Sequence, residues 1–176
     1  MARYIDHLAS IDVRLVCIDF DQTLVDVHTE GKWTDTADKL AKRVRPRLKE
    51  LIEDGLKRDF KLAIVTQSSQ TDLIRKVLKK CVKQDTSKII IRGQDKTWDK
   101  IEGVARGGKQ QHIASVMKEL EGNRHLALEP RQVLLIDDDS YNTGVAMCFG
   151  MRALTFENEE CLGKILKLVK EQASAD

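Results

Sequence analysis

Two prolines and ten glycines are all that punctuate these 176 residues, and no repeat, linker or low-complexity tract divides them. So little breaker content excludes fibrous and disordered chains. Excess charge of one sign is missing too: a formal net charge of +2 is too small to argue for nucleic acid or an anionic membrane as a partner. No apolar run approaches the roughly 20 residues that a membrane helix needs. The opening MARYIDHLASID has neither a signal-peptide core nor a myristoylation pattern. The four cysteines, Cys17, Cys81, Cys148 and Cys161, form no CxxC pair, and two of them lie in apolar stretches. The expectation is reduced, structural thiols in a cytoplasmic protein with no zinc site. What remains is 41% hydrophobic and 33% charged, enough for a single domain over 1–176 with one substantial core.

Short apolar runs alternate with longer stretches of helical period. The runs at 15–20, 61–66, 88–92, 132–137 and 152–156 read as strands. Stretches at about 35–57, 70–83, 109–121, 140–148 and 158–172 read as helices. A break near Arg45 would put Pro46 in a helix's first turn. The segment 21–33 lacks helical period and predicts a turn or small hairpin. Residues 93–108 form the longest irregular connection. Strands that are apolar on both faces predict a parallel α/β sheet of about five strands, flanked by helices on both faces. Ligands of such sheets sit at the carboxyl ends of the strands, which makes the polar residues there the candidates.

Four of those ends carry such residues. Asp19 and Asp21 close the first run. Thr66 ends the second, and Ser69 with Asp72 resembles a capping box that would leave the Thr66 hydroxyl free. Lys109 follows two glycines and opens a helix, where its charge opposes the helix dipole unless an anion lies nearby. Asp137, Asp138 and Asp139 follow the fourth run. Clustered carboxylates without histidine suit a hard cation, and Mg²⁺ best. A carboxylate is already ionised at neutral pH and can act as a nucleophile on phosphorus once its charge and the phosphate's are offset. A second carboxyl two residues away can protonate the leaving oxygen and then activate water. The combination predicts phosphoryl transfer through an aspartyl-phosphate.

DFDQT, the strand-end IVT, Lys109 and IDDDSYN resemble, in order, the four motifs of the haloacid dehalogenase (HAD) superfamily, over residues 15 to 142. Lys109-x-x-His112 and Asp137-Asp138-x-x-x-Asn142 are similar to its small magnesium-dependent phosphatases. The resemblance implies a Rossmann-like sheet with no large cap domain, because the intervals from Asp21 to the first long helix and from Thr66 to Lys109 are too short to hold one. It implies Asp19 as nucleophile and metal ligand, and Asp21 as general acid/base lending its backbone carbonyl to the metal. Thr66 and Lys109 would hold phosphoryl oxygens, with Gln67 beside them as a candidate substrate contact. Asp138 would be the direct ligand, with Asp137 as second layer or alternative, and Asn142 supporting it. Asp139 and His112 receive no role.

Rival readings account for fewer residues. GVARGGKQ (103–110) approaches a P-loop, but Gln110 stands where that loop needs Ser or Thr, and no strand leads into it. A phospho-accepting signalling receiver shares the residue types but would want adjacent acids after the first strand. A dehalogenase has no use for surplus metal ligands. The basic runs 42–49 and 75–80 are interleaved with acids at helical spacing and read as solvated faces. The expected partner is a phosphorylated small molecule or phosphoprotein.

Overall fold

Leu15, Val16, Cys17 and Ile18 are all buried, as a strand flanked on both sides and covered on both faces must be. In the computed structural model, which describes residues 2–169, they form β1 (Leu15–Ile18) at the centre of a five-stranded sheet. Its other strands are β2 (Lys61–Val65), β3 (Ile90–Arg92), β4 (Val133–Asp137) and β5 (Arg152–Thr155). The order is β3-β2-β1-β4-β5, and every pairing is parallel. All five strands lie within the runs named from the sequence. A signalling receiver has the order 2-1-3-4-5, so topology removes that rival.

Successive strand residues face opposite ways and divide the core in two. Val16, Ile18, Leu62, Ile64, Leu134 and Ile136 face one cluster, whereas Leu15, Cys17, Ala63, Val65, Val133 and Leu135 face the other. The first side is covered by α1 (Ala2–Ser10), α2 (Ala37–Ala41), α3 (Pro46–Lys57) and α4 (Thr71–Cys81). The second is covered by α5 (Gln110–Arg124) and α6 (Ser140–Cys148). All four cysteines are free thiols, and burial pushes that of Cys17 well above its ordinary pKa. Among the described residues no helix is long and apolar enough to cross a membrane.

The break expected near Arg45 divides 35–57 into two helices, and Pro46 opens the second of them. Three details depart from the sequence reading. The stretch 158–172 becomes a 3₁₀ segment, Glu159–Lys167, with positions 170–172 outside the described residues. Helix α1 was not anticipated; its Ile5 and Leu8 join the larger cluster. Ser69 and Asp72 form no capping box. Gln70 precedes α4 without a side-chain cap, and its own backbone N–H donates to Ser68 Oγ at 3.1 Å.

Candidate active site

β1 pairs with β2 on one edge and β4 on the other, so the chain leaves the centre of the sheet in both directions. At that point the carboxyl ends diverge and leave a crevice. The Asp19 backbone N–H donates to the Ile136 carbonyl (2.9 Å), which sets Asp19 beside Asp137. After Asp19 the chain turns sharply. Leu24 N–H reaches the Asp19 carbonyl and Val25 N–H the Phe20 carbonyl, with Gln22 at a left-handed φ of 58°. A non-glycine residue in that region is uncommon and is held there by its surroundings. The turn continues the apolar strand as the buried Phe20, Thr23 and Leu24, and a single antiparallel bridge joins Val25 to Val44. Of the turn or small hairpin expected at 21–33, the structure has the turn.

The crevice, about 190 Å³, is lined by Asp19, Asp21, Thr66, Gln67, Lys109, Asp137, Asp138 and Asp139 among others. At its base the Lys109 ammonium, only 2% exposed, lies 2.7 Å from Asp19 Oδ1 and 3.9 Å from Asp137 Oδ2. Lys109 is the residue preceding α5, and these two carboxylates answer the dipole objection raised from the sequence. Asp19, Asp137 and Asp138 each offer one oxygen within 4.8 Å of the others. Burial first, then the neighbouring Asp137 and Asp138, push the Asp19 pKa above the usual carboxylate range, while Lys109 opposes them. Burial raises that of Asp137 as well. Two acids whose pKa values are raised by burial and by neighbouring carboxylates form a donor set that a divalent cation would complete.

The other predicted residues take distinct positions. Asp21 lines the same crevice outside the three-acid group; its carboxylate accepts from Thr29 Oγ1 (2.7 and 2.9 Å) and Thr29 N–H (3.2 Å), with His28 at 3.5 Å. Thr66 Oγ1 accepts from Ser68 N–H at 3.1 Å, so the hydroxyl is engaged as an acceptor and keeps its proton to donate. Gln67 sits on the exposed rim, bonded to the Gln94 amide. The Asn142 amide donates to both oxygens of Asp137 (3.0 and 3.1 Å), and Asp137, 1% exposed, also takes the Asp139 N–H at 2.9 Å. Asn142 therefore orients Asp137, whereas the resemblance paired it with Asp138. Asp139 caps α6 through Tyr141 N–H (2.8 Å).

Sequence reasoning overlooked Thr23. Its hydroxyl donates to Asp138 Oδ1 (3.1 Å) and accepts from Asp138 N–H (3.0 Å), tying the first motif to the fourth. The signal was present in DFDQT, where a buried threonine follows the second acid by two.

His112, one turn into α5, is 5% exposed and packs against the Trp98 ring at 5.0 Å. Neither ring nitrogen has a hydrogen-bond partner; the Thr66 carbonyl favours the charged form from outside that geometry. Burial, aided by the Lys109 charge, lowers the imidazole pKa to about 4. Its folded pKa lies below the unfolded value of 6.5. The unfolded chain thus takes up a proton first, and stability is lost as pH falls from 6.5 towards 4. His112→Phe should remove roughly 3 kcal/mol of that loss. Urea melts of both proteins at pH 8 and pH 4.5 check this: the variant's advantage should grow at the lower pH.

No protein-family model matches the sequence, and no curated protein matches it either. Solved structures do match. One is the N-terminal part, containing the phosphatase domain and complexed with Mg, of a Bacteroides fragilis protein (11% identity, TM-score 0.52). The match covers 93% of this chain and 41% of that one. Another is a predicted HAD-like family hydrolase from Porphyromonas gingivalis (13% identity, TM-score 0.50), with 92% and 100% covered. The chain spans well under half the length of the first. These likenesses establish the architecture: this is a HAD-type α/β fold without a large cap.

Proposed function

We propose that the chain is a HAD-superfamily phosphatase that hydrolyses phosphomonoesters through a phosphorylated Asp19, with Mg²⁺ as cofactor. The observation that carries this reading is the Asp19–Lys109 pair buried at the base of a crevice whose wall is completed by Asp137 and Asp138. Asp19, Asp137 and Asp138 would hold the ion with the Asp21 carbonyl, and bound Mg²⁺ would supply positive charge that offsets repulsion between carboxylate and phosphate.

This chain's residues account for the remaining steps. An Asp19 oxygen attacks phosphorus, the new O–P bond forms, and the bond to the leaving oxygen breaks. Lys109 and the Thr66 hydroxyl hold the phosphoryl oxygens. Asp21, at the mouth and steadied by Thr29, hands a proton to the leaving oxygen. The same carboxylate then takes a proton from the water that attacks the phosphorus and releases Asp19. Asn142 and Thr23 keep Asp137 and Asp138 oriented.

Excess chelator should silence hydrolysis of 4-nitrophenyl phosphate, and restored Mg²⁺ should recover it. Quenched protein should carry covalent phosphate on Asp19 by mass spectrometry. Turnover that survives chelation, or phosphate found on another residue, would sink the proposal.

A further inference from the structure

The larger cavity at this end of the sheet lies beside the acidic crevice. About 390 Å³ in volume, it shares Gln67 with the crevice, and Gly108 in its wall immediately precedes Lys109. That volume falls in the range of small-molecule sites, roughly 300–1,000 Å³. Lys96, Lys100 and Arg106 contribute to the lining, against Asp99 as its only acid. Among the described residues none of these three cations is ion-paired, so the lining carries a surplus of positive charge.

The wall is fixed in place. The Trp98 indole N–H donates to the Gly93 carbonyl (2.8 Å), and Asp95 gathers Thr71 Oγ1, Thr97 N–H and Thr97 Oγ1. The Gln111 amide binds the Ile101 N–H and the carbonyls of Ile101 and Val104. Gly93 is needed because a Cβ there would collide with the Ser68 carbonyl oxygen. Inside stands the 95%-buried imidazole of His112, whose ring nitrogens make no well-aligned hydrogen bond and have only the Thr66 carbonyl near them. Buried polar groups left so are costly unless a ligand meets them.

We propose that this cavity binds the leaving-group side of the substrate and selects small-molecule phosphomonoesters carrying a second anionic group. This rests on the phosphatase reading of the adjoining crevice. The second anion meets Lys96, Lys100 and Arg106, the ester's body lies along Trp98, and His112 hydrogen-bonds to it.

The test compares 4-methylphenyl phosphate with 4-carboxyphenyl phosphate and 1,4-phenylene bisphosphate, the last two distinguishing carboxylate from phosphate as the second anion. The wild type should favour at least one dianionic ester by roughly 30-fold in kcat/KM, mostly through KM. The triple variant K96Q/K100Q/R106Q should bring that ratio near one, and K96R/K100R/R106K should retain it. Binding is read separately by Trp98 fluorescence in W33F/D19N protein, where 4-carboxyphenyl phosphate should bind more weakly once the glutamines are present. Equal turnover of all three esters overturns the inference and leaves the phosphatase reading standing. No turnover of any ester, with binding still lost in the glutamine variant, overturns that reading and leaves the anion site standing. A phosphoserine peptide hydrolysed tenfold better than the dianionic esters overturns the small-molecule assignment.

Discussion

Asp19→Asn should lower turnover of an aryl phosphate by at least about 10⁴-fold, the scale of removing a covalent nucleophile. The substitution keeps shape and volume and removes only the nucleophilic charge. Asp19 lies at the crevice base, 6% exposed, with one oxygen on Lys109, so the other is the atom available to phosphorus. The fold should persist, because Lys109 keeps Asp137 at 3.9 Å and the Asp19 backbone bond to Ile136 is untouched. A far-ultraviolet spectrum and a urea midpoint close to wild type establish that. Activity within tenfold of wild type would remove Asp19 as nucleophile.

Lys109→Met should destabilise the metal-free protein by about 3–5 kcal/mol, the range for stranding one member of a buried ion pair. Among the described residues, Lys109 is the only cation paired with Asp19 or Asp137. Both acids have folded pKa values above the ordinary 3.8. The folded state therefore holds protons that the unfolded chain gives up, and this part of the stability falls as pH rises from 3.8 through the folded values. Removing the one opposing cation deepens that fall. The deficit should be larger at pH 8 than at pH 5, and Mg²⁺ should shrink it. A deficit below about 1 kcal/mol at both pH values, in urea melts without metal, would mean that Lys109 does not neutralise the cluster.

The strands were legible because each is short, apolar on both faces and bounded by polar residues, a pattern that only a covered parallel sheet satisfies. The positions of Asp19, Thr66 and Asp137 at strand ends followed directly, whereas Lys109 stands at the start of α5, a long loop beyond β3. The 158–172 stretch was read as α-helix because its buried Leu162 and Ile165 are three apart, a spacing that suits a 3₁₀ turn as well. Ser69 looked like a cap because residue types cannot tell which of two serines faces the helix start; Ser68 does. Helix α1 buries Ile5 and Leu8 against chain far away in sequence, which no local period reveals. Nor could spacing show that Asn142 holds Asp137, or that His112 lacks a partner. Those facts depend on side-chain direction.

The acids that crowd one another at the crevice come from opposite ends of the chain. Lys109 meets Asp19 across 90 residues, and Thr23 meets Asp138 across 115. Closing such long loops is entropically slow, so the β1–β4 pairing belongs late in folding. A nascent chain emerging from the ribosome can lay down β1, β2 and β3 with Asp19 and Thr66 in place before β4 exists. The electrostatic conflict arises only when β4 joins the sheet, at the step where a divalent ion would have most to relieve. Refolding, and not only catalysis, should therefore quicken with Mg²⁺ in the buffer.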